Sequence, residues 1–226
     1  MEVWKIRATK VDATDCTTFV NQHTSLRAVP LVPKISLHVA DELVPIWQWT
    51  ERELSEGGLP PPYWAFAWAG GQALARYILD HPETVTGKTV LDFASGSGLV
   101  AIAAVMAGAQ AVTAADIDVF AAAACELNAR ANNVTFIVTS KDFMDEMNAW
   151  DVVLEGDICY EKPLATRVTT WLGRLAARGA TVLIGDPGRN YLPKENLQKL
   201  IAYAVKTSRK LEDTDMRNTG VWYFCT

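Results

Sequence analysis

The stretch K-T-V-L-D-F-A-S-G-S-G-L-V at residues 88–100 constrains the fold more than any other part of the chain. Val90, Leu91 and Phe93 suit a strand buried on both faces. Gly96 and Gly98 permit left-handed backbone and let a ligand approach the main chain closely. From Leu99, an alanine-rich run to residue 107 has strong helix propensity. A glycine turn that feeds a helix N-terminus leaves free N–H groups over the end of the strand.

The same alternation recurs downstream. Strands are expected at residues 110–114, 134–138, 151–154 and 180–184, and helices at 119–131 and 163–177. Gly108 and Gly179 suit helix ends, and Asn132 and Asn133 form a turn. A further helix is read at 193–204, then two final strands at 205–211 and 220–225 joined by the polar stretch 212–219. This predicts a Rossmann-like α/β fold, a seven-stranded and mostly parallel sheet with helices on both faces. Ligands of such sheets sit outside the carboxyl ends of the strands. Five strand ends carry polar or glycine-rich motifs and are expected to converge on one cleft.

With 226 residues, the chain is long enough for one α/β domain that buries roughly 70% of its extended surface. Residues 59–226 form that domain, and residues 1–58 read as a cap or extension packed on it. Within the extension, residues 8–19 are a loop or the start of a short helix, and 21–27 are polar. Residues 35–39 alternate like an edge strand, 45–49 are another short extended piece, and 51–58 are a charged loop. The stiff L-P-P-P at 59–62 delivers Tyr63, Trp64, Phe66 and Trp68. A helix at 70–80 follows, with Leu74, Tyr77 and Ile78 on one face.

The formal net charge of -5 argues against nucleic acid as the main partner. Cys16, Cys125, Cys159 and Cys225 are too scattered for a zinc site, and they fit reduced thiols in the cytoplasm. His23, His38 and His81 are dispersed without metal-ligand spacing. No run of eighteen apolar residues reads as a membrane span, and a monomer is expected.

The turn at residues 94–99 decides between cofactors. A dinucleotide fingerprint needs a third glycine, and Ala101 stands there instead. No G-x-x-x-x-G-K-[ST] phosphate loop is present. Asp92 puts a carboxylate near the strand end, and an anionic group over the cleft favours a cationic ligand group such as the ammonium or sulfonium of S-adenosylmethionine.

V-L-D-F-A-S-G-S-G at residues 90–98 resembles the first motif of the seven-stranded class I methyltransferases. That resemblance places Asp92 near the methionine end of the cofactor, and Ala94, Gly96 and Gly98 along its path. It places Asp116 on the ribose hydroxyls, and a carboxylate accepting two hydroxyl donors is sound chemistry in itself. It also sets Ile117 against the adenine, Asp142 at the adenine amino group and Phe143 against the ring. Trp64 and Trp68 before a helix, with D-x-x-Y at Asp157 and Tyr160, are similar to the D-x-x-Y protein-lysine methyltransferases. P-P-Y-W-A-F-A-W-A-G-G at 61–71 and G-D-P-G-R at 185–189 resemble the electron transfer flavoprotein β-subunit lysine methyltransferases among them. The resemblance covers roughly residues 25–226 and implies that β subunit as protein substrate.

A lysine must lose its proton before it attacks, since its ordinary pKa is about 10.4. Asp157 is expected to hold and orient the acceptor nitrogen, and Tyr160 to wall it. Glu155 is a neighbouring candidate for the same work, or it points toward the cofactor. Trp64 and Trp68, Trp68 ahead of Trp64, are assigned to the cofactor pocket, with plain cover of the core as the bland alternative. Arg189 is left between Asp186 and the cofactor carboxylate. Asp157 as a plain capping carboxylate is the bland alternative. Transfer to a small molecule or a nucleic-acid nitrogen, and a module that binds the cofactor without catalysis, are the alternative functions.

Overall fold

The computed structural model describes residues 13–40, 61–144, 146–147 and 149–225. Helix α1 (Ala13–His23) is followed at once by a hairpin, β1 (Ser25–Val29) and β2 (Val32–Val39). The polar stretch at 21–27 therefore ends a helix and begins a strand. The expected edge strand at 35–39 is the far end of β2. Residues 45–49 and 51–58 lie outside the described residues. The described residues of the extension are buried in clusters shared with the rest of the chain. Ile35 and Leu37 of β2 are fully buried in the same cluster as Leu74 and Ile102. The amide groups of Ser36 and His38 donate to the side chains of Asn132 and Asn128, at 2.9 and 2.7 Å.

A turn of 3-10 helix at Tyr63–Ala65 leads into α2 (Ala69–Asp80). Then β3 (Thr89–Phe93), α3 (Leu99–Met106), β4 (Ala111–Ala115) and α4 (Val119–Ala131) follow. The chain continues through β5 (Ile137–Thr139), β6 (Val152–Gly156), α5 (Lys162–Ala177) and β7 (Thr181–Asp186). It closes with β8 (Leu197–Lys206), the short α6 (Arg209–Glu212) and β9 (Met216–Phe224).

The main sheet has seven strands in the order β5-β4-β3-β6-β7-β9-β8. The first five run parallel, β9 is antiparallel to β7, and β8 is antiparallel to β9. One core cluster joins α2, α3 and the β2 strand to the sheet. A second joins β3, β6 and β7 to α5 through Trp171, Leu172 and Leu175. Strand order reverses between β3 and β6, which opens a crevice at their carboxyl ends.

Three sequence expectations give way. The third strand is shorter and later than 134–138. The helix expected at 193–204 is instead a single 3-10 turn and strand β8, and residues 207–211 are not strand. Leu197, Leu200, Ile201 and Ala204 fit helical spacing, but a long antiparallel ladder with β9 wins over that local period.

Candidate active site

The turn after β3 has to reverse at once into α3. Ala94, Gly96 and Gly98 all adopt left-handed backbone there, with φ of 53, 51 and 77°. A Cβ on Gly98 would stand 3.0 Å from the Cys125 sulfur, and one on Gly96 would stand 3.8 Å from Trp64 Cα. Side chains at these positions would crowd α4 and narrow the gap below Trp64. Asn128, fully buried on α4, donates to the Ser97 carbonyl at 2.8 Å and holds the turn from behind.

Asp92 does not overhang the cleft. Its carboxyl accepts from the Ala101 amide at 2.9 Å and is 1% exposed. Burial pushes its pKa up to about 8, and the charge of Asp116 adds to the rise. The expectation of a negative charge facing the ligand is corrected: Asp92 ties β3 to the first turn of α3. Gly98 likewise begins α3 rather than lining the cleft.

The cleft itself has a volume of about 470 Å³ and draws walls from all five strand ends. That is within the usual range of small-molecule sites. Ala94 and Gly96 line it after β3, and Asp116 and Ile117 after β4. Asp116 accepts from the Gly96 amide at 2.9 Å and the Asp118 amide at 3.0 Å, one on each oxygen. One lone pair per oxygen is thus left for a ligand hydroxyl. Burial raises the Asp116 pKa. Ile117 is 70% exposed at the rim.

Trp64 is buried and stacks on Phe120 with rings 6.5 Å apart at 15°. Trp68 precedes α2, and its indole N–H donates to the Tyr63 carbonyl at 2.8 Å. Asp142 is exposed at the cleft edge, where it accepts from the Met144 amide at 2.9 Å. Phe143 turns the other way. It is buried in the core, edge-on to Trp150 at 5.2 Å, so the expected stacking on a ligand ring is corrected. Neighbouring residues of this turn point to opposite sides, which leaves Asp142 on the cleft and Phe143 behind it.

Asp157 and Tyr160 face the cleft from beyond β6. Asp157 has φ of 74° and is almost wholly buried. One carboxylate oxygen accepts from the Gly70 amide at 2.9 Å, and the other accepts from the Arg189 Nε at 2.7 Å. The capping role is therefore real: Asp157 satisfies an orphan donor in the first turn of α2. This approach depends on glycine, because a Cβ on Gly70 would stand 2.2 Å from the Gly185 carbonyl. Tyr160 is 43% exposed, with its ring 5.4 Å from that of Tyr63. Burial pushes its pKa up to about 12, so it meets the cleft as a hydroxyl.

Glu155 is fully buried, and one of its oxygens accepts from the Ile158 amide at 2.7 Å. Its pKa is raised well above the ordinary value by burial first and by Asp186 next. It braces the loop beneath the cleft, and its assignment beside Asp157 is corrected. Arg189, left between Asp186 and the cofactor, pairs with Asp157 and, at 3.2 Å, with Glu212. Tyr63, Gly70 and Glu212 were not singled out by sequence reading. Tyr63 and Gly70 lie within the aromatic segment that was. Glu212 gave no signal, because the short helix it ends was read as a strand running into a polar connection.

A family model described as ribosomal protein L11 methyltransferase matches residues 73–158. The electron transfer flavoprotein β-subunit lysine methyltransferase of Xenopus laevis is 37% identical, over 97% of this chain and 91% of its own length. The corresponding Homo sapiens protein is 36% identical, over 91% of this chain and 80% of its own. This chain belongs to the electron transfer flavoprotein β-subunit lysine methyltransferase family. Members of this family are S-adenosylmethionine-dependent protein-lysine methyltransferases. Among solved structures, the ribosomal protein L11 methylase of Lactobacillus delbrueckii subsp. bulgaricus has a TM-score of 0.51 at 20% identity, covering 71% of this chain and 81% of that one. A 16S rRNA methyltransferase of T. thermophilus, in complex with AdoMet and guanosine, has a TM-score of 0.53 at 17% identity, covering 71% and 44%. These two likenesses concern the fold.

The lysine methyltransferase cleft suits S-adenosylmethionine on its own geometry. The glycine turn leaves room that a Cβ would take, and Asp116 keeps acceptors for a vicinal diol. Among the described residues, no group of three or more His, Cys, Asp or Glu is placed to hold a metal ion.

Proposed function

We propose that the protein methylates lysine side chains of the electron transfer flavoprotein β subunit, with the acceptor nitrogen entering between Asp157 and Tyr160. The carrying observation is that Asp157, Tyr160 and Asp116 line one cleft. Asp116 serves the ribose, and Ala94 and Gly96 give passage to the rest of the cofactor. Trp64 and Trp68 wall the side toward α2, Ile117 lies against the adenine, and Asp142 meets its amino group.

When bound, S-adenosylmethionine supplies a methyl group on a positively charged sulfur. The protein's part is to bring a neutral amine into line with it and to exclude water. Asp157 keeps one lone pair on each oxygen to accept from the acceptor N–H groups. Tyr160 and Tyr63 present aromatic faces beside the alkyl stem. Asp157 orients the amine through the lone pairs that its bonds to Gly70 and Arg189 leave free.

Free cysteines, three of them buried, support a reducing compartment such as the cytoplasm. The test is labelled-methyl transfer from S-adenosylmethionine into a cell extract, resolved into protein, RNA and small-molecule fractions. Label is expected in a protein of the mass of the flavoprotein β subunit. Label confined to RNA or small molecules overturns the proposal.

A further inference from the structure

The Asp157 carboxylate creates a difficulty for the chemistry it serves. An unpaired anion beside an incoming lysine stabilises the ammonium form, which cannot attack. The structure sets a cation against that anion. Arg189 donates Nε to Asp157 at 2.7 Å and reaches Glu212 with its other arm at 3.2 Å. It also lines the cleft, with only 22% of its side chain exposed. Beyond it, Glu212 on α6 faces Arg217 on β9 at 3.4 Å. Asp186, at the end of β7, accepts from the Gly188 and Arg189 amides at 2.6 and 2.7 Å and fixes where the guanidinium starts.

We propose that Arg189 is a positioning residue that offsets the charge of Asp157, so that the acceptor lysine is held by its N–H groups without being locked as an ammonium. This rests on the reading that the acceptor enters at Asp157. The charged groups around the guanidinium are Asp157 from the β6 loop, Glu212 from α6 and Asp186 from β7. Glu155 is buried beneath Asp157, and Arg217 lies on the far side of Glu212. With Arg189 in place, the acceptor meets a neutral Asp157–Arg189 pair inside a partly dry cleft, and desolvation then favours the amine. An ammonium N–H bond breaks and its proton leaves to solvent. The freed lone pair forms the new C–N bond, while the electrons of the broken S–C bond stay on sulfur. Glu212 holds the second arm of Arg189 and keeps the fork turned toward Asp157.

The test is kcat against pH at saturating cofactor and flavoprotein β subunit, for the wild type, Arg189→Met, Arg189→Lys and Glu212→Gln. In Arg189→Met the pKa on the rising limb is expected to move up by about one unit or more, as an uncompensated neighbouring carboxylate demands. Turnover at pH 7.5 then falls about tenfold and recovers at pH 9.5. Arg189→Lys is expected to keep the wild-type profile position, with lower kcat from loss of the fork. Glu212→Gln should leave the rising limb in place or move it down. A melting curve for each variant accompanies the profiles. A loss of kcat in Arg189→Met that is uniform across pH marks a merely structural role and overturns the inference. A wild type that transfers nothing to the β subunit overturns instead the reading on which this rests.

Discussion

At the scale of single residues, the proposed function gives two carboxylates of one cleft separate duties. Asp116 has its backbone donors and a spare lone pair on each oxygen. Asp116→Ala is expected to weaken S-adenosylmethionine binding by about ten- to a hundredfold in calorimetry, the worth of hydrogen bonds to a charged group. Asp157→Asn should bind cofactor normally while transfer falls by at least tenfold. Asp157→Ala should also lower stability by about 1 kcal/mol, because Asp157 caps the first turn of α2. Unchanged transfer in Asp157→Asn contradicts the assignment. The placement of Asp116 and Asp157 on the cleft was legible in the sequence because both stand just past an apolar strand. Glu155 was not: every residue from Val152 to Glu155 is buried, so no alternation told which face its carboxyl takes. Phe143 failed for a similar reason, since a turn gives no period from which to read direction.

Asp92 shows how burial couples such a group to pH. Its pKa stands near 8 in the fold, against about 3.9 in an unfolded chain. The folded state therefore holds a proton that the unfolded state releases. The stability this brings is complete below about pH 4 and is lost as pH rises through about 8. Asp186 and Asp118, each raised to about 6 chiefly by burial, act in the same direction over a lower window. Thermal melts of Asp92→Asn against wild type should show the variant gaining in relative stability from pH 5 to pH 9. A difference independent of pH contradicts this account of Asp92.

At the scale of elements, the approach of α2 to the strand ends sets the cleft. Gly70 and Gly185 meet backbone to backbone, and a Cβ on Gly185 would stand 2.2 Å from the Gly70 carbonyl. No side-chain rotation relieves that contact. Gly185→Ala is expected to destabilise by about 1–3 kcal/mol or more and to lift α2 from Asp157. A wild-type melting point with wild-type transfer contradicts this. The α2 helix itself was legible from its apolar stripe, and β3 to α4 from glycine turns between apolar runs. Strand β8 was not. Its ten residues lie at the sheet edge and are mostly exposed, so neither face carries the core pattern that marks a strand. Its partner β9 is ten residues further on, and pairing at that distance leaves no local trace.

At the scale of the whole molecule, the fold brings five strand ends and one aromatic segment to a single cleft. The sheet's reversal between β3 and β6 puts Asp116 on one side and Asp157 on the other. Fold and cofactor follow from local motifs, which is why a sequence reading reaches them. The setting of Asp157, held between the Gly70 amide and Arg189, rests on pairings across the chain that appear only in three dimensions. The most direct test is mass mapping of purified electron transfer flavoprotein β subunit after incubation with the enzyme and S-adenosylmethionine. Mass gains in steps of one methyl group on lysine are predicted, accumulating at least tenfold more slowly with Asp157→Asn. An unmodified β subunit, or equal methylation by Asp157→Asn, would contradict the account.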